Sequence, residues 1–548
     1  MVEQSTMPSS KFFANPQAEV SEITVGDLLR ECAKTVPHRV ALKESPDPIS
    51  GVQRGWTYAE ILDGAERTAR GLLTKFRPGD HVAIWAHNVP EWWFVEFGAA
   101  LAGIVLVTIN PASRQQEVAY ILENSNAVGI ITVRYCRGSD HLAMLADIRT
   151  SLPALRDILI LDDWADFMNA APEGTPLPQV HPADPIMIQY TSGTTGKPKG
   201  ARMRHRGVVN SSKFATECFE PGDGAVWLNC VPMFHTGGSV HSSLGALWSH
   251  GTMILPPHFD PGVMLQMIEQ ERVTLTTTVP TMAIALLEHP SLQDLDLSSL
   301  KVLACGGAPV APELVERIER EFGCDFVMLF GQTEMSGMIC QTKRGDSVEH
   351  VTQTVGAPLG PTEVKIVDPQ SGETLPVDRI GEICLRSSGV LQDYYGNAQA
   401  TAEAIDPDGW FHTGDLGTVR TDRYLTITGR SKDMLIRGGE NIYPREIEDE
   451  LLAHPAISNV AVFGVPDAHW GEQIAVAVKL KGGHSADEQE LRMFLQSRIA
   501  KFKMPKNWWF VDDFPTTTSG KVQKFELKNR FLALAHETDL SPTSGSAG

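Results

Sequence analysis

The stretch HVAIW…EWWFVEFGAALA…IVLVTI, between positions 81 and 109, most narrows what this chain can fold into. His81–Trp85 is five residues long and free of turn formers, which is the length and character of a buried strand. Pro90 stands where a helix can open and Gly103 where it must close, with EWWFVEFGAALA between them. A second apolar run, 104–109, follows at once. A strand, a crossover helix and a further strand predict parallel pairing with the helix laid over the sheet. Similar runs at 128–133, Thr252–Leu255 and 301–304 carry the alternation through the first four-fifths of the chain. The fold class is therefore α/β, a large N-terminal region of parallel and mixed sheets flanked by helices.

The last hundred or so residues have another rhythm. A helix over 443–452, strands at 460–463 and 474–480, a helix over 487–499 and a strand at 508–511 form a small α+β unit with its own apolar faces. The join is GRSKDMLIRGGEN (429–441), where charge and glycine replace periodicity. The expected division is an N-terminal domain of 1–429, a hinge of 430–442 and a C-terminal domain of 443–548. A chain of 548 residues exceeds one ordinary domain and agrees with that division.

Composition removes several function classes. A net charge of −20 argues against a nucleic-acid binder, which needs clustered Lys and Arg. The eight cysteines show no CxxC or Cys/His ligand spacing, so buried reduced thiols are expected, without structural zinc or disulfides. No apolar run reaches the length of a membrane span, and MVEQSTMPSSKFF lacks the apolar core of a secretory signal. SPTSGSAG at the other end reads as a disordered tail and not a peroxisomal address. A cytoplasmic protein is expected; a homodimer is compatible with the sequence and not required by it.

PIMIQY (185–190) delivers the chain into YTSGTTGKPKG (190–200), rich in Gly, Ser, Thr and Lys. Glycines let backbone approach a polyphosphate, while hydroxyls and lysines supply donors and charge. The spacing is not that of a Walker A loop: two residues separate Gly193 from Gly196, and Pro198 follows Lys197. A proline there offers no N–H and discourages helix before it. The segment reads as a mobile turn between two strands, the second at 201–204.

YTSGTTGKPKG resembles the signature of the adenylate-forming superfamily, which holds acyl-CoA synthetases, firefly luciferase and the adenylation domains of peptide synthetases. Further motifs follow in that family's order: MFHTGG (233–238), GGAP (306–309), FGQTE (330–334), GAPLG (356–360), DGWFHTGDLG (408–417), GRSKDMLIRGGENIYPREIE (429–448) and TTTSGK (516–521). The resemblance implies a distorted barrel beside the sheets and a small mobile C-terminal domain. It also implies a two-step reaction, in which a carboxylate attacks the α-phosphorus of ATP and a thiol, coenzyme A, then displaces AMP.

By the same resemblance, Thr191, Ser192, Gly193, Thr194, Thr195 and Lys199 hold the β- and γ-phosphates, and Glu334 ligates Mg2+. Thr333 touches the α-phosphate. Gly307, Ala308 and Pro309 wall the adenine slot, and Phe330 stacks on the base where the family usually has Tyr. Gly331 and Gln332 complete that nucleotide-binding run. Asp415 accepts hydrogen bonds from the ribose hydroxyls, with Arg430 behind it; an isolated TGD would be read as a turn. Lys521 bridges carboxylate and α-phosphate during adenylation, although Thr516 stands where the family often has Lys. Lys432 is the pivot between adenylation and thioester conformations, and rotation presents Gly438 and Gly439 to the pantetheine channel. His235 lies between acyl pocket and thiol tunnel, although alone it would be read as a core histidine.

The substrate side is less constrained. MFHTGG, TTTVPTM (276–282), the GGAP loop and MSGMIC (335–340) are apolar and glycine-rich, consistent with a slot for a hydrophobic acid. The motif set looks most like stand-alone fatty-acyl-CoA synthetases, with aryl-CoA ligases and acyl-AMP ligases that load carrier proteins as alternatives. A non-catalytic homologue would have lost Lys521 or Glu334, and both are present.

Overall fold

The computed structural model describes residues 9–13, 15, 17–46, 51–191, 198–308, 310–437, 440–467, 470–496, 498–516 and 522–537. The strand–helix–strand unit read from sequence is present as His81–Trp85, Glu91–Ala102 and Val105–Ile109. Its strands pair in parallel, His81 opposite Val105 and Trp85 opposite Ile109. Both strands are buried at every residue, as in a sheet covered on two faces. Gly103 closes the helix in the left-handed region at φ 67°, its N–H donating to the Ala99 carbonyl.

Among the described residues, the N-terminal strands form three large sheets and a two-stranded ribbon, Tyr135–Cys136 with Ser139–Asp140. One has nine strands, in the order Ala357–Pro358, Gly337–Gln341, Asp325–Gln332, Val302–Gly306, Leu275–Thr278, Val226–Asn229, Thr252–Leu255, Val40–Glu44, Gly55–Thr57. The second has seven, in the order Asp393–Tyr394, Lys199–Arg204, Pro185–Thr191, Val105–Ile109, His81–Trp85, Gly129–Thr132, Asp157–Ile160. Where the resemblance implies a distorted barrel, Glu363–Val367, Gly381–Arg386, Phe411–Val419 and Leu425–Arg430 form a four-stranded antiparallel sheet. A further sheet is built on Ile457–Asp467 paired with Gly471–Leu480, with Asn507–Phe510 alongside in parallel. None of the helices among the described residues is long and apolar enough to cross a membrane.

The segment 429–441 holds more structure than its composition suggests. After the short 3-10 turn Ser431–Asp433, strands Leu435–Arg437 and Glu440–Ile442 pair with each other, and the first also pairs with Gly471–Leu480. Leu435 and Ile442 are buried in the C-terminal core. Strands of three residues are too short to display an alternation, so the sequence pattern cannot reveal them.

Helix Glu91–Ala102 packs closely on Tyr58–Leu73 because glycines open the contact. A Cβ on Gly98 would lie 2.4 Å from Thr68 Cγ2, and one on Gly64 would lie 2.5 Å from Phe94. The same helix carries Glu96, two residues from both Phe94 and Gly98 and so on its other face; it is buried, and its Oε2 has no hydrogen-bond partner among the described residues. Burial alone pushes its carboxyl well above the ordinary value. The folded state thus holds a proton that the unfolded state releases, so stability falls as pH rises from the unfolded value through the folded one. Glu96→Gln, neutral at every pH, is expected to lack this decline. Urea unfolding at about pH 5 and about pH 8 should show the variant gaining on the wild type at the higher pH.

Candidate active site

Two polar clusters meet at the turn that ends strand Asp325–Gln332. The strand bulges between Phe330 and Gly331, and Gln332 pairs with Gly337 across the hairpin. Thr333–Met335 forms one 3-10 turn, Ser336 takes the left-handed region at φ 58°, and its Oγ donates to the Gly389 carbonyl. A Cβ on Gly331 would lie 2.2 Å from the Gly337 carbonyl oxygen, so only glycine lets the two backbones come this close.

On one side of the turn lies the Glu334 carboxylate. Its Oε1 accepts from Thr191 Oγ1 at 3.2 Å and from the Tyr394 hydroxyl at 2.9 Å. Thr191 pairs across the ladder with Lys199, whose Nζ lies 5.0 Å from the centre of the Tyr394 ring. The strands on either side of the glycine-rich turn are held from helix Gln115–Asn124. Tyr190 donates to Asn124 Oδ1 at 2.8 Å, and Tyr120 donates to the Pro198 carbonyl at 2.8 Å. Burial, reinforced by the Glu334 charge, pushes the Tyr394 hydroxyl far up, so it stays a donor.

On the other side lies Asp415, its side chain 4% exposed. Arg430 Nε is 2.8 Å from Oδ1, Gln332 Nε2 donates to Oδ2, and Asp415 and Arg430 face each other in the antiparallel register. The Asp415 N–H donates to Thr413 Oγ1 at 3.0 Å. The register between Val302–Gly306 and Asp325–Gln332 sets Gly306 opposite Leu329, which brings exposed Gly307 and Ala308 beside the start of the Phe330 bulge. Gly307 has φ +82°.

His235 is exposed and not a core histidine. Its Nδ1 accepts from the Gly237 N–H at 3.2 Å, and its carbonyl receives the N–H groups of Gly238 and Ser239. One residue, Thr236, separates it from a π-helical stretch, Gly237–Ser242, of the kind that often marks functional sites. Thr236 and Val240 approach Gly337, so this stretch abuts the Gln332–Gly337 hairpin. Lys432 is exposed in the 3-10 turn that follows Arg430. Ser192, Gly193, Thr194, Thr195, Pro309, Gly438, Gly439 and Lys521 lie outside the described residues.

Sequence reading passed over Tyr394. It lies sixty positions from Glu334 in LQDYYG, a stretch whose spacing announces no chemistry. Only the pairing of Asp393–Tyr394 with Lys199–Arg204 brings it to the carboxylate.

This chain belongs to the AMP-binding enzyme family, within the adenylate-forming superfamily. The family's model matches residues 29–395, and that of the AMP-binding enzyme C-terminal domain matches 446–521. Its relatives are acyl-CoA synthetases and ligases. The mitochondrial medium-chain acyl-CoA ligase ACSF2 of Homo sapiens is 32% identical over 541 residues, 92% of this chain and 87% of its own length. Feruloyl-CoA synthase of Amycolatopsis sp is 38% identical over 502 residues, 91% of this chain and 97% of its own. The crystal structure of ATP-bound MatB from Rhodopseudomonas palustris matches with a TM-score of 0.83 at 28% identity, covering 93% of this chain and 100% of that one.

The hairpin yields a direct expectation. Gly331→Ala must part the backbones at Gly337 and displace Gln332 and Glu334 together. A loss of about 1–3 kcal/mol in stability is expected, with a larger proportional loss of ATP-dependent activity. Thermal unfolding and AMP-release assays on the same preparation check both.

Proposed function

We propose that this chain is an ATP-dependent acyl-CoA synthetase. It activates a hydrophobic carboxylic acid, a medium- or long-chain fatty acid, to acyl-AMP with release of pyrophosphate, and transfers the acyl group to coenzyme A. One observation carries the reading: the Gln332–Glu334 turn joins a carboxylate set in hydroxyl donors to a second carboxylate clamped by Arg430. The first suits a metal-bound polyphosphate and the second a ribose.

In the first half-reaction two anions must meet, so fixed cations and dipoles neutralise both. Thr191, the hydroxyls and N–H groups of Ser192–Thr195, and Lys199 would grip the β- and γ-phosphates as the leaving group. Among the described residues the hydrogen bonds to Glu334 Oε1 come from hydroxyls, which leaves the carboxylate charge for a hard cation. Mg2+ held by Glu334 would neutralise phosphate charge. Thr333 would donate to the α-phosphate. Asp415 would accept from both ribose hydroxyls, oriented by Gln332 and Arg430, while Phe330 and residues 307–309 enclose the adenine. Lys521 would bridge the attacking carboxylate and the α-phosphate as a point charge on a flexible stem.

The second half-reaction needs Lys521 withdrawn and a thiol admitted. Lys432 lies just past the Asp415–Arg430 pair, at the edge of the 1–429 domain, and would be the pivot of the 430–442 hinge. Rotation of the C-terminal domain, together with the strands Leu435–Arg437 and Glu440–Ile442 that pair into its sheet, would bring Gly438 and Gly439 to the pantetheine path, with His235 between that path and the acyl slot.

Lys521→Ala is expected to abolish adenylation while sparing ATP binding and thioester formation from supplied acyl-AMP. Near-wild-type overall turnover would overturn the assignment. The 38% identity to a feruloyl-CoA synthase favours a second reading, an aryl-CoA ligase of the benzoate or cinnamate type. A panel of short- to long-chain fatty acids, benzoates and cinnamates, read by AMP release with CoA, separates the two. Highest kcat/KM on a medium- or long-chain acid is expected. Highest kcat/KM on an aromatic acid assigns the aryl reading, and adenylation without CoA thioester assigns a carrier-loading ligase.

A further inference from the structure

Away from the turn at Gln332–Glu334, three side chains of different chemistry converge on the four-stranded sheet. Glu382 and Cys384 come from strand Gly381–Arg386, and His412 comes from Phe411–Val419. Cys384 pairs directly with His412, the cross-strand relation that brings side chains together on one face. Glu382 stands two residues before Cys384 on the same strand, so their side chains share a face, and the pairing register shifts between them. Glu382 Oε2 lies 2.8 Å and Cys384 Sγ 3.4 Å from His412 Nδ1, and the three donor atoms lie within 4.8 Å of one another.

We propose that Glu382, Cys384 and His412 form a binding site for a thiophilic divalent cation of the zinc type. A tetrahedral ion with ordinary Zn–S, Zn–N and Zn–O bonds separates its donors by roughly 3.3–3.6 Å, so the three atoms need shifts of only tenths of an ångström to about one. Thiolate, imidazole and carboxylate together select a borderline-soft ion over Mg2+ or Ca2+. Glu382 offers one oxygen, because its Oε1 already accepts the Gly414 N–H at 3.1 Å. Three protein donors leave the fourth position to water.

The surroundings resemble those of a metal-bound histidine. Asp406 Oδ2 lies 3.8 Å from His412 Nε2, on the ring edge away from the cluster, and Lys365 Nζ lies 3.6 Å from the same carboxylate oxygen. At 3.8 Å this carboxylate is not hydrogen-bonded to the ring, but a shift of about one ångström on metal binding would let it accept the distal N–H, orienting the ring and raising its basicity as a ligand. Binding forms the metal–sulfur and metal–nitrogen bonds as the thiol proton, and any proton on Nδ1, pass to water. A dication then balances the thiolate and the two carboxylates once the Lys365 ammonium is counted. Burial, and then the neighbouring Glu382 charge, raise the Cys384 thiol, so the ion must displace its proton to bind.

The test uses chelator-treated full-length protein titrated with Co2+ and then Zn2+. One equivalent of Co2+ is expected to produce the near-ultraviolet sulfur-to-cobalt charge-transfer band, which Zn2+ bleaches. Cys384→Ser should lose the band, while Cys340→Ser, a buried thiol elsewhere, should keep it. Asp406→Asn, at a partly exposed position, should weaken Co2+ binding by about 10–100-fold with the band retained at saturation, and it carries the test if Cys384→Ser fails to fold. Absence of the band in the wild type, its persistence in Cys384→Ser, or wild-type affinity in Asp406→Asn overturns the site.

Discussion

The close approach of Gly331 to the Gly337 carbonyl sets the geometry on which the proposed nucleotide site depends. Because the backbones nearly touch, the chain must reverse within the Thr333–Met335 turn and the left-handed Ser336. That reversal sends Gln332 toward Asp415 and Glu334 toward Thr191 and Tyr394. The nine-stranded, seven-stranded and four-stranded sheets therefore each contribute a side chain to one locus. Displacing one strand end would disturb all three.

The same economy applies at the far end of Asp415. Its partner Arg430 is the last residue of a strand whose next residues leave the four-stranded sheet for the 3-10 turn containing Lys432. The proposed ribose clamp thus occupies the last rung before the chain departs toward its C-terminal sheet. A rotation there would act directly on the Asp415–Arg430 pair, which lies at the departure point.

Much of the fold was legible because its strongest signals are local. The HVAIW and IVLVTI runs and the Pro90 and Gly103 brackets lie within one βαβ unit, and burial of both sheet faces demands continuous apolar strands. The pairing of Leu435–Arg437 with Glu440–Ile442 was not legible, since three-residue strands carry no period and the glycines and charges around them mask their apolar residues. Tyr394 was hidden for another reason: a tyrosine in a short edge strand signals nothing until the strand is paired. His235 shows the reverse, a residue whose type alone suggests burial and whose place before the π-helical stretch leaves it exposed.

The order of motifs along the chain was enough to establish the adenylate-forming family, because those motifs are contiguous and their spacing survives in one dimension. The same was true of the parallel α/β architecture, which follows from period and length. What only the tertiary structure decided are the burial of Glu96 and relations between strands: the hydroxyls on Glu334, the clamp on Asp415 and the convergence of Glu382, Cys384 and His412. Cys384 and His412 are 28 positions apart, with no ligand spacing to betray them. Register between antiparallel strands sets such distances, and register depends on bulges and turn geometry that no local pattern of residues encodes.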